Sequence, residues 1–281
     1  MKIWTIAAQK GGSSKTTLSL NLAAAAQKFE ISAVVLDVDP QASASKLNDI
    51  RIALQLPDLS VVTTPVSRLP VVLGQLKAEP PTLVIIDTPP FSDTVTGEAI
   101  KVATQVIIPT NDDLVEVLAL PPTFSLARIY KPQMRPVVVL TRTNPPRPPK
   151  AAKPGDKPKR VGPAIDPLEP IKMQARSAGI EIDICPTRMS RRSTYPQAPG
   201  LGKMAVEMSQ AAHFEAKREI EKIFEFLAAR DGLSGQAEDH SGGAVGGGVW
   251  VTGDLGDIDG EVGGCQRRDG ERVAVAVQRQ C

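Results

Sequence analysis

Gln9-Lys10-Gly11-Gly12-Ser13-Ser14-Lys15-Thr16-Thr17 follows a short apolar run at residues 3–8. The order apolar strand, glycine-rich turn, Lys-Thr and then a helical pattern is that of a phosphate-binding loop. Gly11 and Gly12 let backbone N–H groups approach phosphate oxygens with no Cβ in the way. Lys15 is placed to reach the β- and γ-phosphates, and the Thr16 hydroxyl to ligate Mg²⁺. A helix over 16–29 would point its positive end at the same anion.

Two further segments close apolar runs with acids. Val34-Val35-Leu36-Asp37-Val38-Asp39-Pro40-Gln41 ends a strand in two carboxylates, and Leu83-Val84-Ile85-Ile86-Asp87-Thr88-Pro89-Pro90 ends one in a single carboxylate. Continuous apolar runs of this length read as parallel strands buried on both faces. Acids at their C-terminal ends then fall on the ligand-facing edge of the sheet.

The Lys-Gly-Gly-x-x-Lys-Thr-Thr loop, with its early second lysine, resembles the deviant Walker A loop of the ParA/MinD class of P-loop ATPases, closest to the ParA partition ATPases. The Asp37–Gln41 segment resembles that family's switch I, and Asp87-Thr88-Pro89-Pro90 its Walker B strand ending. The resemblance implies that Lys10 reaches across a dimer interface to the partner's nucleotide, and that Asp39 activates the attacking water. It implies that Thr16, Asp37 and Asp87 form or adjoin the Mg²⁺ shell, and that Lys10, Gly11, Gly12, Ser13, Ser14, Lys15, Thr16 and Thr17 contact nucleotide. It also places Pro186 and Thr187, after the last strand, near the adenine. One position departs from the pattern: the family has Gly just before the second lysine, where this chain has Ser14. A Cβ there crowds the phosphates or strains the loop, which bears on hydrolysis more than on binding.

Apolar runs alternating with helical patterns argue for an α/β fold: a doubly wound, mostly parallel sheet with helices on both faces, of P-loop NTPase type. Strands are expected at 2–8, 33–37, 60–63, 82–87, 105–109, 135–141 and 179–184. Helices are expected at 16–29, 43–47, 66–77, 93–103, 113–120, 123–130, 167–178 and 201–229, with Pro121-Pro122 breaking the stretch after the fifth strand into two pieces. Residues 1–230 form the ATPase domain in this reading. Within it, 142–163 holds seven prolines and seven basic residues in 22 positions, which predicts an extended insertion. It is either a passive linker or an electrostatic arm for DNA phosphates. Residues 231–281 hold 13 of the 22 glycines and read as a mostly disordered tail, in which 272–280 alternates weakly like a strand.

The 281 residues carry a formal net charge of +2, but the tail holds nine acids against four basic residues, leaving the first 230 residues at +7. A basic body suits an anionic polymer partner. Three cysteines (Cys185, Cys265 and Cys281) without paired spacing, and two histidines, support neither a disulfide framework nor a zinc site. Cys281 lacks the downstream residues of a prenylation signal. His213, beside Phe214, reads as structural. The strand-like N-terminus leads straight into the loop and does not read as a signal peptide. With no run near ~18 apolar residues, the protein is expected to be cytoplasmic.

Arg188, Arg191 and Arg192 form a tight basic cluster followed by Lys203. The resemblance implies ATP-dependent, sequence-independent DNA binding through such C-terminal basic residues. Lys217, Arg218 and Lys222 alternate instead with Glu215, Glu219, Glu221 and Glu225, as solvated helix faces do. Ile220, Ile223, Phe224 and Leu227 read as packing on the sheet rather than as a MinD-like membrane anchor, so no membrane partner is expected. The functions implied are plasmid or chromosome partition by a nucleoid-associated, ATP-dependent homodimer with Mg²⁺ and a ParB-like partner. The alternatives are positioning of a protein cargo, support of conjugative transfer, or an ATP-binding regulator whose turnover Ser14 suppresses.

Overall fold

The computed structural model describes residues 1–144 and 168–233. In chain order the elements are β1 (Lys2–Ile6), α1 (Lys15–Lys28), β2 (Ala33–Asp37), α2 (Ser43–Ala53), β3 (Val61–Thr63), α3 (Leu69–Leu76), β4 (Leu83–Asp87), α4 (Asp93–Val102), β5 (Gln105–Thr110), α5 (Leu114–Val117), α6 (Pro121–Tyr130), β6 (Val137–Thr143), α7 (Glu169–Ser177), β7 (Asp183–Ile184), β8 (Met189–Ser190), α8 (Thr194–Gln197) and α9 (Phe214–Arg230). The strands form a parallel sheet in the order β3-β2-β4-β1-β5-β6-β7, with β8 also pairing β6.

Strict alternation explains the continuous apolar runs. In β1, Trp4 and Ile6 face α1 and α9, while Ile3 faces the opposite layer. In β4, Leu83 and Ile85 point to the first layer, Val84 and Ile86 to the second. Val137 and Val139 of β6 split in the same way from Val138 and Leu140. Both faces are dry, so a polar residue inside a strand needs a partner, as Thr5 finds in Ala99 O at 2.9 Å, and the acids begin only where strands end. The α9 stripe of Ile220, Ile223, Phe224 and Leu227 is buried in the first layer. Phe224 stacks on Phe29 at 5.4 Å and tilts against Trp4 at 5.6 Å. Among the described residues no helix is long and apolar enough to cross a membrane.

Three expectations are corrected. The strand expected over 179–184 shrinks to Asp183–Ile184: Gly179 adopts φ 67 and, with Ile180, caps α7 by donating to Arg176 O and Ala175 O. The helix expected over 201–229 begins only at Phe214. Before it, Gly202 turns left-handed at φ 65, and Met204, Met208 and Gln210 are extended. Burial of Met204, Ala205 and Val206 against α1, with the Ala205 amide donating to Asn21 Oδ1 at 2.8 Å, outweighs helix propensity there. The short helix expected over 43–47 runs on to Ala53, because Arg51 is buried completely and held by Glu207, Gly202 O and Pro57 O. Pro121 and Pro122 do divide their stretch, by occupying the first turn of α6, where proline lacks no needed donor. Of the basic insertion 142–163 only residues 142–144 are described. Residues 234–281, with Cys265, Cys281 and the alternating 272–280, lie outside the described residues.

Candidate nucleotide-binding site

The strand ends bring the three motifs to one edge. In the parallel register Asp87 lies beside Ile6 of β1 on one side and Asp37 of β2 on the other. The loop from Gly11 to Thr17 floors a cavity of about 800 Å³, walled by Asp39, Ser43, Leu47 and Pro90 on one side. The other wall is Arg142, Met189, Ser190, Arg191, Arg192, Tyr195 and Pro196. That volume suits a nucleotide-sized ligand.

Within the loop, Gly12 takes φ 77, and Ser14 takes φ 70 as the residue before α1, with no side-chain capping bond. The left-handed backbone at Ser14 is the physical reason a glycine belongs there. An L-residue in this region is strained by roughly 1–2 kcal/mol. Two cavity-lining residues, Ser14 and Arg142 (φ 54), take this conformation, as do Ala42 (φ 49) and Phe91 (φ 55), each next in sequence to a lining residue; Glu30, Gln55 and Ser60 take it elsewhere. Such strain concentrates at ligand clamps and switch segments.

Lys15 is buried. Its Nζ donates to Ala8 O at 2.9 Å and Lys10 O at 3.2 Å. Burial lowers its pKa from the ordinary lysine value, and the carboxylates of Asp87 and Asp39 oppose that shift. An anion arriving at the loop would restore the charge balance around this ammonium. Arg142 is similarly parked, its Nη1 donating to Gly12 O at 2.8 Å.

Asp87 is fully buried. Its Oδ2 accepts the Thr16 hydroxyl at 2.7 Å, and its Oδ1 lies 3.0 Å from Ser19 Oγ. Burial pushes its pKa up to about 7, and the neighbouring Asp37 adds to the rise, while Thr16, Ser19 and Lys15 oppose it. Thr16 lines the cavity and Asp87 lies directly behind it through their hydrogen bond, and hydroxyl and carboxylate oxygens are hard donors of the kind Mg²⁺ takes with substrate phosphates. Thr16 and Asp87 therefore fit that ion. Among the described residues no cluster of three or more His, Cys, Asp or Glu forms an all-protein metal cage. Asp37 is satisfied by the backbone. Its Oδ1 accepts from the Asp39 amide (3.1 Å), and its Oδ2 from the Ala44 (3.0 Å) and Ser45 (3.2 Å) amides, so it anchors the start of α2 to the sheet. Burial raises its pKa, and these amides partly offset the rise. Asp39 stands on the cavity wall, with its Oδ1 accepting from the Gln41 amide at 2.9 Å.

Lys10 does not line this cavity. Its Nζ turns outward to Glu116 Oε1 of α5, at 2.6 Å. Pro186 and Thr187 do not line the cavity, whereas Met189 to Arg192 with Tyr195 and Pro196 do. Arg191 and Arg192 thus sit at the nucleotide cavity, whereas Arg188 and Lys203, both half-buried, do not line it. Arg192 is committed further. Its Nε (3.0 Å) and Nη2 (2.8 Å) donate to Glu219 Oε1, while Glu219 Oε2 accepts from the Ser190 amide (3.0 Å) and Tyr195 hydroxyl (2.9 Å). Glu219 is buried rather than solvated as its helical alternation suggested. Burial and the Glu219 charge raise the Tyr195 pKa, so the phenol stays protonated as a donor. His213 is buried with its Nδ1 2.9 Å from Thr194 Oγ1, a packing role. Cys185 is buried and its thiol pushed up to about 11, which leaves it inert as a nucleophile.

Sequence reasoning missed Glu116, Arg142, Ser19 and Tyr195. A hydroxyl one helical turn after Thr16 was the signal available for Ser19. The other three depend on tertiary contacts.

The sequence profile of the CobQ/CobB/MinD/ParA nucleotide-binding domain matches residues 4–248, past the boundary expected at 230. No curated protein sequence matches the chain. Among solved structures, McdA from Cyanothece in complex with ATP is 18% identical, with a TM-score of 0.56 over 83% of this chain and 96% of its own. The septum site-determining protein MinD from Pyrococcus horikoshii, with Mg-ADP, is 16% identical, with a TM-score of 0.58 over 83% and 98%. A plasmid partition protein from Borrelia burgdorferi is 19% identical, with a TM-score of 0.52 over 82% and 98%. At such identities the likeness is one of fold.

Proposed function

The chain belongs to the CobQ/CobB/MinD/ParA family of nucleotide-binding domains, and from that premise we propose that this ParA/MinD-type ATPase serves DNA segregation. In this reading ATP closes two copies face to face, the dimer binds DNA without sequence preference, and hydrolysis stimulated by a ParB-like partner releases it. The observation that supports the dimer in this reading is the direction of Lys10, which leaves the loop but does not line its own cavity; the basic Arg188 and Arg191 support the DNA partner. With its ammonium on Glu116 of the same subunit, Lys10 is not committed to phosphates in its own cavity and remains available to a partner's nucleotide.

The chain's residues divide the work. Lys15 and the loop amides hold the β- and γ-phosphates, and α1 directs its positive end at them. Thr16 and Asp87 would hold Mg²⁺, whose chemistry is to neutralise phosphate charge. Asp39 orients and deprotonates the attacking water, and Lys10 adds positive charge across the interface. Asp37 keeps α2, and with it the switch segment, on the sheet edge. Met189, Ser190 and Arg191 border the base. Arg188, Arg191 and Lys203 supply contacts to DNA phosphates, while Arg192 clamps the wall through Glu219.

The left-handed Ser14 favours a second reading: a nucleotide-dependent regulator with little turnover. The cargo is also open to the protein-positioning and conjugative alternatives, since similar folds include MinD and McdA. The deciding experiment measures binding to random-sequence duplex DNA with no nucleotide, ADP or ATP–Mg²⁺, across a salt series, alongside turnover. ATP-selective binding that falls steeply with salt is expected. Binding indifferent to nucleotide, or none, would remove the segregation reading and leave the ATPase.

A further inference from the structure

Lys10 and Glu116 form a partly buried ion pair, with side-chain exposures of 34% and 14%. Glu116 lies on the one-turn helix α5, and its neighbours there are exposed and apolar: Leu114 at 64%, Val115 at 69% and Leu118 at 57%. Phe91, on the loop after β4, is 78% exposed with its ring against Gly11. The surface carrying the Lys10–Glu116 pair is thus rich in large apolar side chains that solvent alone does not favour, as at a face another protein covers.

The geometry points to Glu116 as a positioning residue for Lys10, holding the lysine within its own subunit until a second, nucleotide-loaded copy of this chain covers that face. This inference rests on the cross-subunit reading above. One ion pair between partly solvated side chains restrains a long lysine only weakly, so Glu116 biases Lys10 without locking it. Nucleotide phosphates offer several negative oxygens in place of one carboxylate, so the exchange is favourable once the second copy arrives. Covering α5 with apolar surface then strips water from Glu116 after its partner has left, which opposes closure. The tether therefore works against dimerisation twice, by retaining Lys10 and by leaving an unpaired carboxylate.

The test uses the full chain and the variants Glu116→Gln and Glu116→Asp, with thermal melts to confirm that each folds. Without nucleotide, acetylation of Lys10 by an N-hydroxysuccinimide ester is followed by mass spectrometry, with Lys77 as internal reference. Lys10 is expected to react roughly threefold faster in Glu116→Gln than in wild type, with Glu116→Asp between them. Equal rates would overturn the tether whatever the oligomer does. Sedimentation with ATP–Mg²⁺ then reads the consequence: Glu116→Gln is expected to associate at roughly threefold lower concentration. Association unchanged or weakened would overturn the restraint on dimerisation. Absence of ATP-dependent association in wild type would instead sink the cross-subunit reading itself, and the labelling contrast would still decide the tether.

Discussion

Asp37 and Asp87 are register partners on adjacent parallel strands, two buried carboxylates side by side at the end of the sheet. Their answers to burial differ. Asp37 receives three backbone amides, whereas Asp87 has two hydroxyls and a pKa near 7. A carboxyl raised in the folded state stabilises the protein most when protonated. Its contribution is fully present below the unfolded value near 3.8 and is lost as pH rises through about 7. The nucleotide-free protein should therefore lose stability between about pH 4 and pH 7. Asp87→Asn should flatten that slope and stabilise the neutral-pH protein by an amount on the order of a few kcal/mol. Melts of both proteins across this window check it; parallel slopes would show that Asp87 is ionised and satisfied by its hydroxyls.

Ser14→Gly removes a Cβ from a left-handed backbone at φ 70. Relief of strain exceeds the extra chain entropy of glycine by about 1 kcal/mol, worth roughly 2–4 °C in melting temperature for a domain of this size. If the strain also holds the loop off its phosphate-bound shape, turnover rises with stability. A stability gain with unchanged turnover would mean that the loop already accommodates serine.

Glu219→Ala should cost about 3 kcal/mol, because Arg192, the Tyr195 hydroxyl and the Ser190 amide all lose their shared acceptor. Nucleotide affinity should fall with it, since the same residues wall the cavity. Denaturant titration and calorimetric nucleotide binding separate the two effects. A defect confined to DNA binding would assign Arg192 to DNA instead.

The sheet and the loop were legible because burial on both faces leaves its mark within five or six consecutive residues. What was illegible is held by partners distant in sequence. Arg51 lies beyond the helix expected at 43–47, and nothing local announces the burial that Glu207 and the turn at Gly202 give it. Glu219 reads as one of many glutamates on a solvated face until β8 and α8 close over it. The Lys10–Glu116 pair joins the loop after β1 to the short helix α5 after β5, and no periodicity announces it. At Ser14 the letter was visible as a departure, but the φ that gives it consequence was not.

Lys15→Ala removes the buried ammonium that donates to Ala8 O and Lys10 O. A lost charge-assisted contact to phosphate predicts roughly hundredfold weaker ATP binding by calorimetry. Because the ammonium's burial is itself unfavourable, the nucleotide-free fold should melt within a few degrees of wild type. Retained ATP affinity would place the phosphates away from this loop.

Asp39→Ala separates binding from chemistry. Asp39 lines the cavity, yet among the described residues its carboxylate accepts only from the Gln41 amide at 2.9 Å, while its own amide, which survives the substitution, donates to Asp37. The switch should therefore keep its path and ATP its affinity. Loss of a group that orients and deprotonates water lowers turnover by roughly a hundredfold or more. The variant should accumulate as a long-lived ATP-bound dimer, read by slow dissociation in sedimentation and by the absence of phosphate release. Wild-type turnover in this variant would move the base elsewhere on the cavity wall. A dimer that fails to form would mean that Asp39 shapes the interface rather than the water.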